Sequence, residues 1–246
     1  MLSGEIIEPD WPAPGNVRAV CTTRKGGVSQ RPFDSFNLAG HVGDESRRVQ
    51  ENRECLIDAL RLPAPPDWLD QRHGRVAVCI DKGAPSFPAD AAISRRPGRV
   101  CAVLTADCLP VLVCDEDGSC VAAIHAGWRG LAAGVIEAAI DTLSPDGRRL
   151  LAWLGPAIGP AAYEIDAPVR ERLLAGDAEA GAAFAATRLG HWTVDLYELA
   201  RRRLRKAGIT DIFGGAFCTY TDSGRFYSHR RDGQCGRMAS LIWLVG

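Results

Sequence analysis

One cysteine and two histidines have the types and settings to do chemistry together. Cys108 lies in TADCLPVL (105–112), His125 in HAGWRG (125–130) and His73 in QRHG (71–74). A thiolate with two imidazoles suits a catalytic zinc ion whose fourth position is left for water or substrate. The same groups have plainer readings, since a histidine beside a glycine can be a mere turn residue and a cysteine between strands can be filler. A further reading needs no metal: Cys108 as nucleophile and His125 as its base. The three residues are far apart, with no CxxC or HExxH, so spacing leaves these readings open.

The elements that must position them are legible. Two apolar runs, 110–114 and 120–124, flank DEDGS, in which Asp117-Gly118 is a strong hairpin signal. Antiparallel pairing then brings the far ends together, with Cys108 just before the first run and His125 just after the second. His73 precedes the apolar run RVAVCI (75–80), so it too is expected on a loop at a strand edge.

A second chemistry is suggested by HAGWRGLAAG (125–134). Gly127 and Gly130 flank an expected helix start, where free N–H groups attract anions, and Arg129 adds a fork-shaped donor. The alternative is that these glycines only let helix pack on sheet. In FYSHRRDGQCGR (226–237), Arg230, Arg231 and Arg237 could bind phosphate or sugar, or pair with Asp222 and Asp232.

The rest of the chain reads as a mixture of strands and helices. Strands are expected at 17–24, 75–80, 100–105, 150–155, 212–218 and 238–245. Helices are expected from an Asp44 cap to Leu60, from Gly130 to Leu143, from Asp166 with Pro168, and from Asp195 to a stop at Gly208. The last carries Arg201, Arg202, Arg203, Arg205 and Lys206, which read as a solvated face matched to the helix dipole. No regular βαβ period appears, so an α+β fold with mixed sheets in one domain, 1–246, is expected.

The chain has 246 residues with 29 basic and 30 acidic side chains. That balance argues against a general nucleic-acid binder. The start, MLSGEIIEPDWPAPG, does not resemble a secretory signal, and no apolar run approaches the roughly 20 residues of a membrane span. A cytoplasmic protein without nucleic-acid or membrane partners, and a monomer, is therefore expected. Of nine cysteines, Cys21, Cys79, Cys101, Cys114, Cys120 and Cys218 lie in apolar runs and read as small buried hydrophobes with reduced thiols.

The motifs TTRKGGVS (22–29), SFNLAGHVGD (35–44), NREC (52–55), QRHG, TADCLPVL, HAGWRG and LGPAIGP (154–160) together resemble the YfiH family. YEI (163–165), CTY (218–220), FYSHRRD (226–232) and GRMASLIWL (236–244) extend the likeness from about Cys21 to the C-terminus. The family is also called laccase-domain or polyphenol oxidase and includes the FAMIN-type purine nucleoside enzymes. The resemblance implies zinc held by His73, Cys108 and His125. It also implies a single α+β domain with sheets packed between helices, like the cytotoxic-necrotizing-factor catalytic domain. The implied activity is phosphorolysis of adenosine, inosine or methylthioadenosine with adenosine deamination, so purine nucleosides and phosphate are the expected partners. Arg72 and His229 depart from the family pattern beside its functional loops, which bears on substrate preference.

The older label, copper-dependent polyphenol oxidase, fits the residues poorly. Multicopper oxidases need about ten histidines, many in His-x-His pairs, because imidazole is the usual copper ligand. This chain has five, none so paired, although a single copper could still bind. A nucleoside enzyme fits better, with Arg129, Arg230 or Arg48 as the phosphate ligand. Two other classes stay open: a cysteine hydrolase acting on an amide such as a cell-wall precursor through Cys108 and His125, and a binding module in which metal only closes the site.

Overall fold

In the computed structural model, which describes residues 6–83, 87–143 and 147–246, the hairpin lies at the centre of the larger sheet. Leu109–Asp115 pairs antiparallel with Val121–Ala126, with Leu109 opposite Ala126 and Pro110 opposite His125. The turn between them is held by Asp115, whose carboxylate accepts from the Ser119 and Cys120 N–H groups at 2.7 and 3.0 Å.

Six strands run in the order Asp211–Gly214, Leu150–Leu154, Leu109–Asp115, Val121–Ala126, Ala91–Ser94 and Ala77–Cys79. The outermost pair on each side is parallel and the inner pairings are antiparallel, so the sheet is mixed. A second sheet, wholly antiparallel, runs Ile6–Ile7, Val17–Thr22, Met238–Leu244 and Val100–Thr105. A small third sheet joins Phe184–Arg188, His191–Val194 and Glu164–Asp166.

Alternation along the central strand explains the layering. Val111 and Val113 face helices Val135–Leu143 and Leu196–Lys206, whereas Leu112 and Cys114 face Val103, Cys101 and Ile242 of the four-stranded sheet. All seven residues of Leu109–Asp115 are buried, as expected of a strand covered on both faces. The far face of the four-stranded sheet carries Ala102, Leu241 and Trp243 against Leu56 of helix Ser46–Leu60. The fold is thus α+β with two sheets packed between helices.

Several local expectations are corrected. Glu45, not Asp44, occupies the N-cap of Ser46–Leu60; the Asp44 carboxylate is drawn back to Ser29 and Asn37. The helix expected over 130–143 is two helices, Trp128–Ala133 and Val135–Leu143, because Gly134 takes φ +86° between them. The run 75–80 yields only the strand Ala77–Cys79, and 212–218 only Asp211–Gly214, with Gly214 and Gly215 both at positive φ. The basic helix face is not simply solvated. Arg202 and Lys206 converge on Asp177 at 2.8 and 2.6 Å, and the nearly buried Arg203 pairs with Glu137 at 2.8 Å. These pairs tie Leu196–Lys206 to its neighbours.

Asp166 and Asp195 do cap their helices, accepting from Val169 and Glu198 N–H groups. No disulfide joins the nine cysteines. Cys79 is exposed and Cys218 half-buried, against the expectation of buried fillers, because each lies at the end of its apolar run. Burial pushes the Cys21 and Cys114 thiols up to about 12, where they are inert.

Candidate metal centre

His73, Cys108 and His125 meet where three loops and strand ends converge. Their ligand atoms all lie within 4.8 Å of one another, and among the described residues no other His, Cys, Asp and Glu side chains converge in this way. His73 is exposed, Cys108 half-buried and His125 buried. The two imidazole rings stand edge to face with centroids 4.7 Å apart.

Asp90 organises the two histidines. Its Oδ1 accepts from His125 Nδ1 at 2.8 Å, which leaves His125 Nε2 as the ligating atom. The same carboxylate accepts from the N–H groups of His73 at 2.9 Å and Gly74 at 2.7 Å. His73 sits at φ +59°, a left-handed conformation uncommon for residues other than glycine, and these bonds hold it there. The Asp90 carbonyl also accepts from His125 N–H at 2.7 Å. Asp90 is 1% exposed; burial would raise its pKa, but the His125 hydrogen bond and charge and the Gly74 and His73 N–H groups hold it below the usual carboxylate range.

Cys108 is positioned by the residue before it. Asp107 sits at φ +87°, its carboxylate accepting from Thr219 Oγ1 at 2.6 Å and Arg230 N–H at 2.7 Å, and its carbonyl from Ile158 N–H at 3.0 Å. Three distant segments therefore fix the turn that presents the thiol. Gly127 supplies the room: a Cβ there would lie 2.8 Å from Cys108 Sγ and 3.2 Å from His73 Cδ2. Burial opposes ionisation of Cys108, but the neighbouring His125 and His73 imidazoles outweigh it and bring the thiol down. His125 shifts the opposite way, its burial overcome by the Cys108 thiolate and the Asp90 hydrogen bond. A thiolate at neutral pH, a tautomer fixed by a buried carboxylate and a cradle that only glycine leaves open all fit a bound zinc or copper ion.

Two cavities meet at the trio. One, of about 210 Å³, is walled by Trp128, Ile158, Tyr163 and Leu196. The other, of about 290 Å³, is bounded by His41, Thr105, Arg129, His229 and Arg237. His73, Cys108, Arg129 and His229 border both.

The arginines named from sequence fall in different places. Arg129 stacks on Trp128, 4.5 Å from the ring centroid, between the cavities. Arg230 borders the smaller cavity, but its Nη1 donates to the Glu164 carbonyl at 2.9 Å and its guanidinium lies over Tyr163 at 4.9 Å. Arg48 borders neither; it pairs with Glu45 at 3.0 Å on the first turn of its helix. Arg231 pairs with Asp232 and Arg225 with Asp222. Arg72 pairs with Asp70 outside both cavities, whereas His229 lines both.

Sequence reasoning missed Asp90 and Asp107, and gave Trp128 and Tyr163 no role. An aspartate ahead of a strand is common, and nothing local ties Asp90 to a histidine 35 positions away. Trp128 and Tyr163 did lie within quoted motifs, so that signal was present.

The family profile described as multi-copper polyphenol oxidoreductase laccase matches residues 18–245. A Pseudomonas aeruginosa protein named purine nucleoside phosphorylase is 54% identical over 239 residues, covering 97% of this chain and 98% of that protein. The Escherichia coli purine nucleoside phosphorylase YfiH is 51% identical, covering 98% and 99%. Among solved structures, a Neisseria meningitidis protein superposes with a TM-score of 0.91 at 44% identity, covering 98% of this chain and 99% of that one. YlmD from Geobacillus stearothermophilus gives 0.87 at 30% identity, covering 96% and 94%.

Proposed function

The chain belongs to the multi-copper polyphenol oxidoreductase laccase family, and from that premise we propose that it is a zinc-dependent purine nucleoside phosphorylase. Its substrates would be adenosine, inosine and methylthioadenosine, with deamination of adenosine as a side activity. The observation that carries this reading is a His–Cys–His group at the junction of two cavities, one aromatic and one basic. Relatives that share half or more of its residues over nearly the whole chain are named purine nucleoside phosphorylase. The family's laccase title fits less well, because five histidines and one converging metal-type group among the described residues cannot assemble several copper centres.

His73, Cys108 and His125 would hold the ion. When bound, zinc would supply Lewis acidity and, for deamination, a water acidified toward a pKa of about 7. Asp90 keeps the His125 proton on Nδ1 and so keeps Nε2 free to ligate. Trp128 and Tyr163 offer faces on which a planar base can stack, and Arg129 offers a guanidinium at the trio. In phosphorolysis a phosphate oxygen attacks C1′ of the ribose, the C1′–N9 bond breaks, and its electron pair leaves with the purine, which then takes up a proton.

The test is direct. The zinc-loaded protein incubated with adenosine and phosphate should yield adenine and ribose 1-phosphate by chromatography. Cys108→Ala and His125→Ala should lose zinc and turnover together while circular dichroism stays unchanged. Full activity in a metal-free variant would defeat the zinc mechanism. The lowered Cys108 thiol beside the raised His125 also suits a cysteine hydrolase. Zinc that stays stoichiometric through dialysis counts against that second reading, since one thiolate cannot serve both.

A further inference from the structure

We propose that the two cavities are separate subsites, with inorganic phosphate held by Arg237 and Arg129 in the basic one and the purine base held between Trp128 and Tyr163 in the other. This inference rests on the phosphorylase reading and assigns the phosphate pocket that reading leaves open.

The basic cavity has no carboxylate in its lining, whereas it carries two guanidinium groups and four imidazoles. The one lining group able to bear negative charge is the Cys108 thiol, which belongs to the metal centre. Arg237 is half-buried and, among the described residues, has no carboxylate partner; its Nη1 donates to the Cys235 and Gly236 carbonyls at 2.8 and 2.9 Å. Those bonds aim the guanidinium without neutralising it. Arg129, which is exposed, lies over the Trp128 ring and likewise has no carboxylate partner among the described residues. Burial lowers the His41 pKa, and Arg237, Arg53 and Arg72 add to the effect beyond what Asp70 returns. The field there is positive. A partly desolvated cation without a counter-charge is costly, so an anion that fills this cavity gains on both counts.

Neither competing arginine lines the basic cavity. Arg230 is tied to the Glu164 carbonyl and laid over Tyr163, and there it stiffens the wall of the aromatic cavity. Arg48 is paired on a helix away from both cavities. The one acid in the aromatic cavity, Asp107, is bonded to Thr219 and Arg230. That cavity therefore offers flat apolar surface, which suits a base.

The division also has a stereochemical meaning. With phosphate on one side of the trio and base on the other, ribose lies between them. The attacking oxygen then approaches C1′ from the face opposite the departing N9, so the bond that forms and the bond that breaks are in line. The product would be ribose 1-phosphate with inverted configuration at C1′.

The experiment titrates phosphate and nucleoside separately in the zinc-loaded protein and in Arg237→Met, Arg129→Met and Trp128→Ala, each checked for an unchanged thermal midpoint and zinc content. Either arginine variant should raise the phosphate KM roughly tenfold or more with nucleoside KM changed less than about twofold. Trp128→Ala should do the reverse. Arg237→Lys, which keeps the charge, covers the case in which the methionine variant fails to fold and should recover part of the phosphate affinity. An unchanged phosphate KM in both arginine variants overturns the assignment. A parent protein that cleaves nucleoside without phosphate defeats the phosphorylase reading instead. Inorganic phosphate binding, followed by ³¹P NMR in the absence of nucleoside, then judges the pocket alone, and binding equal in parent and Arg237→Met overturns it.

Discussion

Asp90 and His125 are bonded twice, once through backbone and once through side chains. The Asp90 carbonyl accepts the His125 amide at 2.7 Å, and its carboxylate accepts His125 Nδ1–H at 2.8 Å. Strand pairing between Ala91–Ser94 and Val121–Ala126 sets the first bond and so delivers the second.

Asp90→Asn should therefore weaken zinc binding by about 10- to 100-fold, the range seen when such an outer partner of a ligating histidine is lost. The amide keeps one acceptor oxygen, so either His125 Nδ1 and the His73 N–H, which share Oδ1, or the Gly74 N–H on Oδ2 loses its partner. Competition with a chromogenic chelator measures the effect, and parent-like zinc affinity would show that Asp90 does not orient the ligand.

Gly127→Ala tests the cradle. The added methyl would come within 2.8 Å of Cys108 Sγ, closer than side chains tolerate. We expect zinc content after gel filtration to fall well below stoichiometric while far-ultraviolet circular dichroism is retained. Stoichiometric zinc in this variant would show that the loop yields easily.

Tyr197→Phe tests the support beneath the LGPAIGP loop. The buried Tyr197 Oη accepts from Ala157 N–H and donates to the Phe217 carbonyl, both at 2.9 Å. Removing it strands a buried N–H and should cost about 1–3 kcal/mol, read from urea unfolding. Because Ile158 N–H also holds the Asp107 carbonyl, activity should fall with stability.

The pH dependence of stability has a definite sign at Asp177. Hydrogen bonding from Arg202 leads the effect, burial opposes it, Lys206 adds to it, and the carboxyl is held well below its usual range. A depressed folded-state pKa favours the native protein above the unfolded-state value of about 3.9. That contribution should be complete at pH 6 and lost as pH falls through 4 and below. Asp177→Asn should lower the thermal midpoint at pH 6 and flatten its fall in acid; parallel acid limbs would sink the idea.

How much of this was legible in sequence depended on how far each interaction reached. Equal apolar runs around Asp117-Gly118 left one register for the hairpin, and that register brought Cys108 to His125. His73 was reachable because a loop before a strand must end at the sheet edge. The partners of Asp90 and Asp107 were not, since each joins residues 16 to 123 positions apart. Gly134 was hidden inside an apolar helical run whose periodicity continues across the break. The basic helix misled for a related reason: Asp177 and Glu137 come from other elements, so local charge counting saw arginines without acids.

Sharing one carboxylate between the His125 imidazole and the His73 backbone N–H has a consequence for anyone redesigning this centre. The His73 turn and the His125 ring cannot be adjusted independently, so geometry suited to another metal would have to be sought at Cys108, whose loop answers to different anchors. Evolutionary change around the ion should follow the same asymmetry, with drift concentrated on the sulfur side.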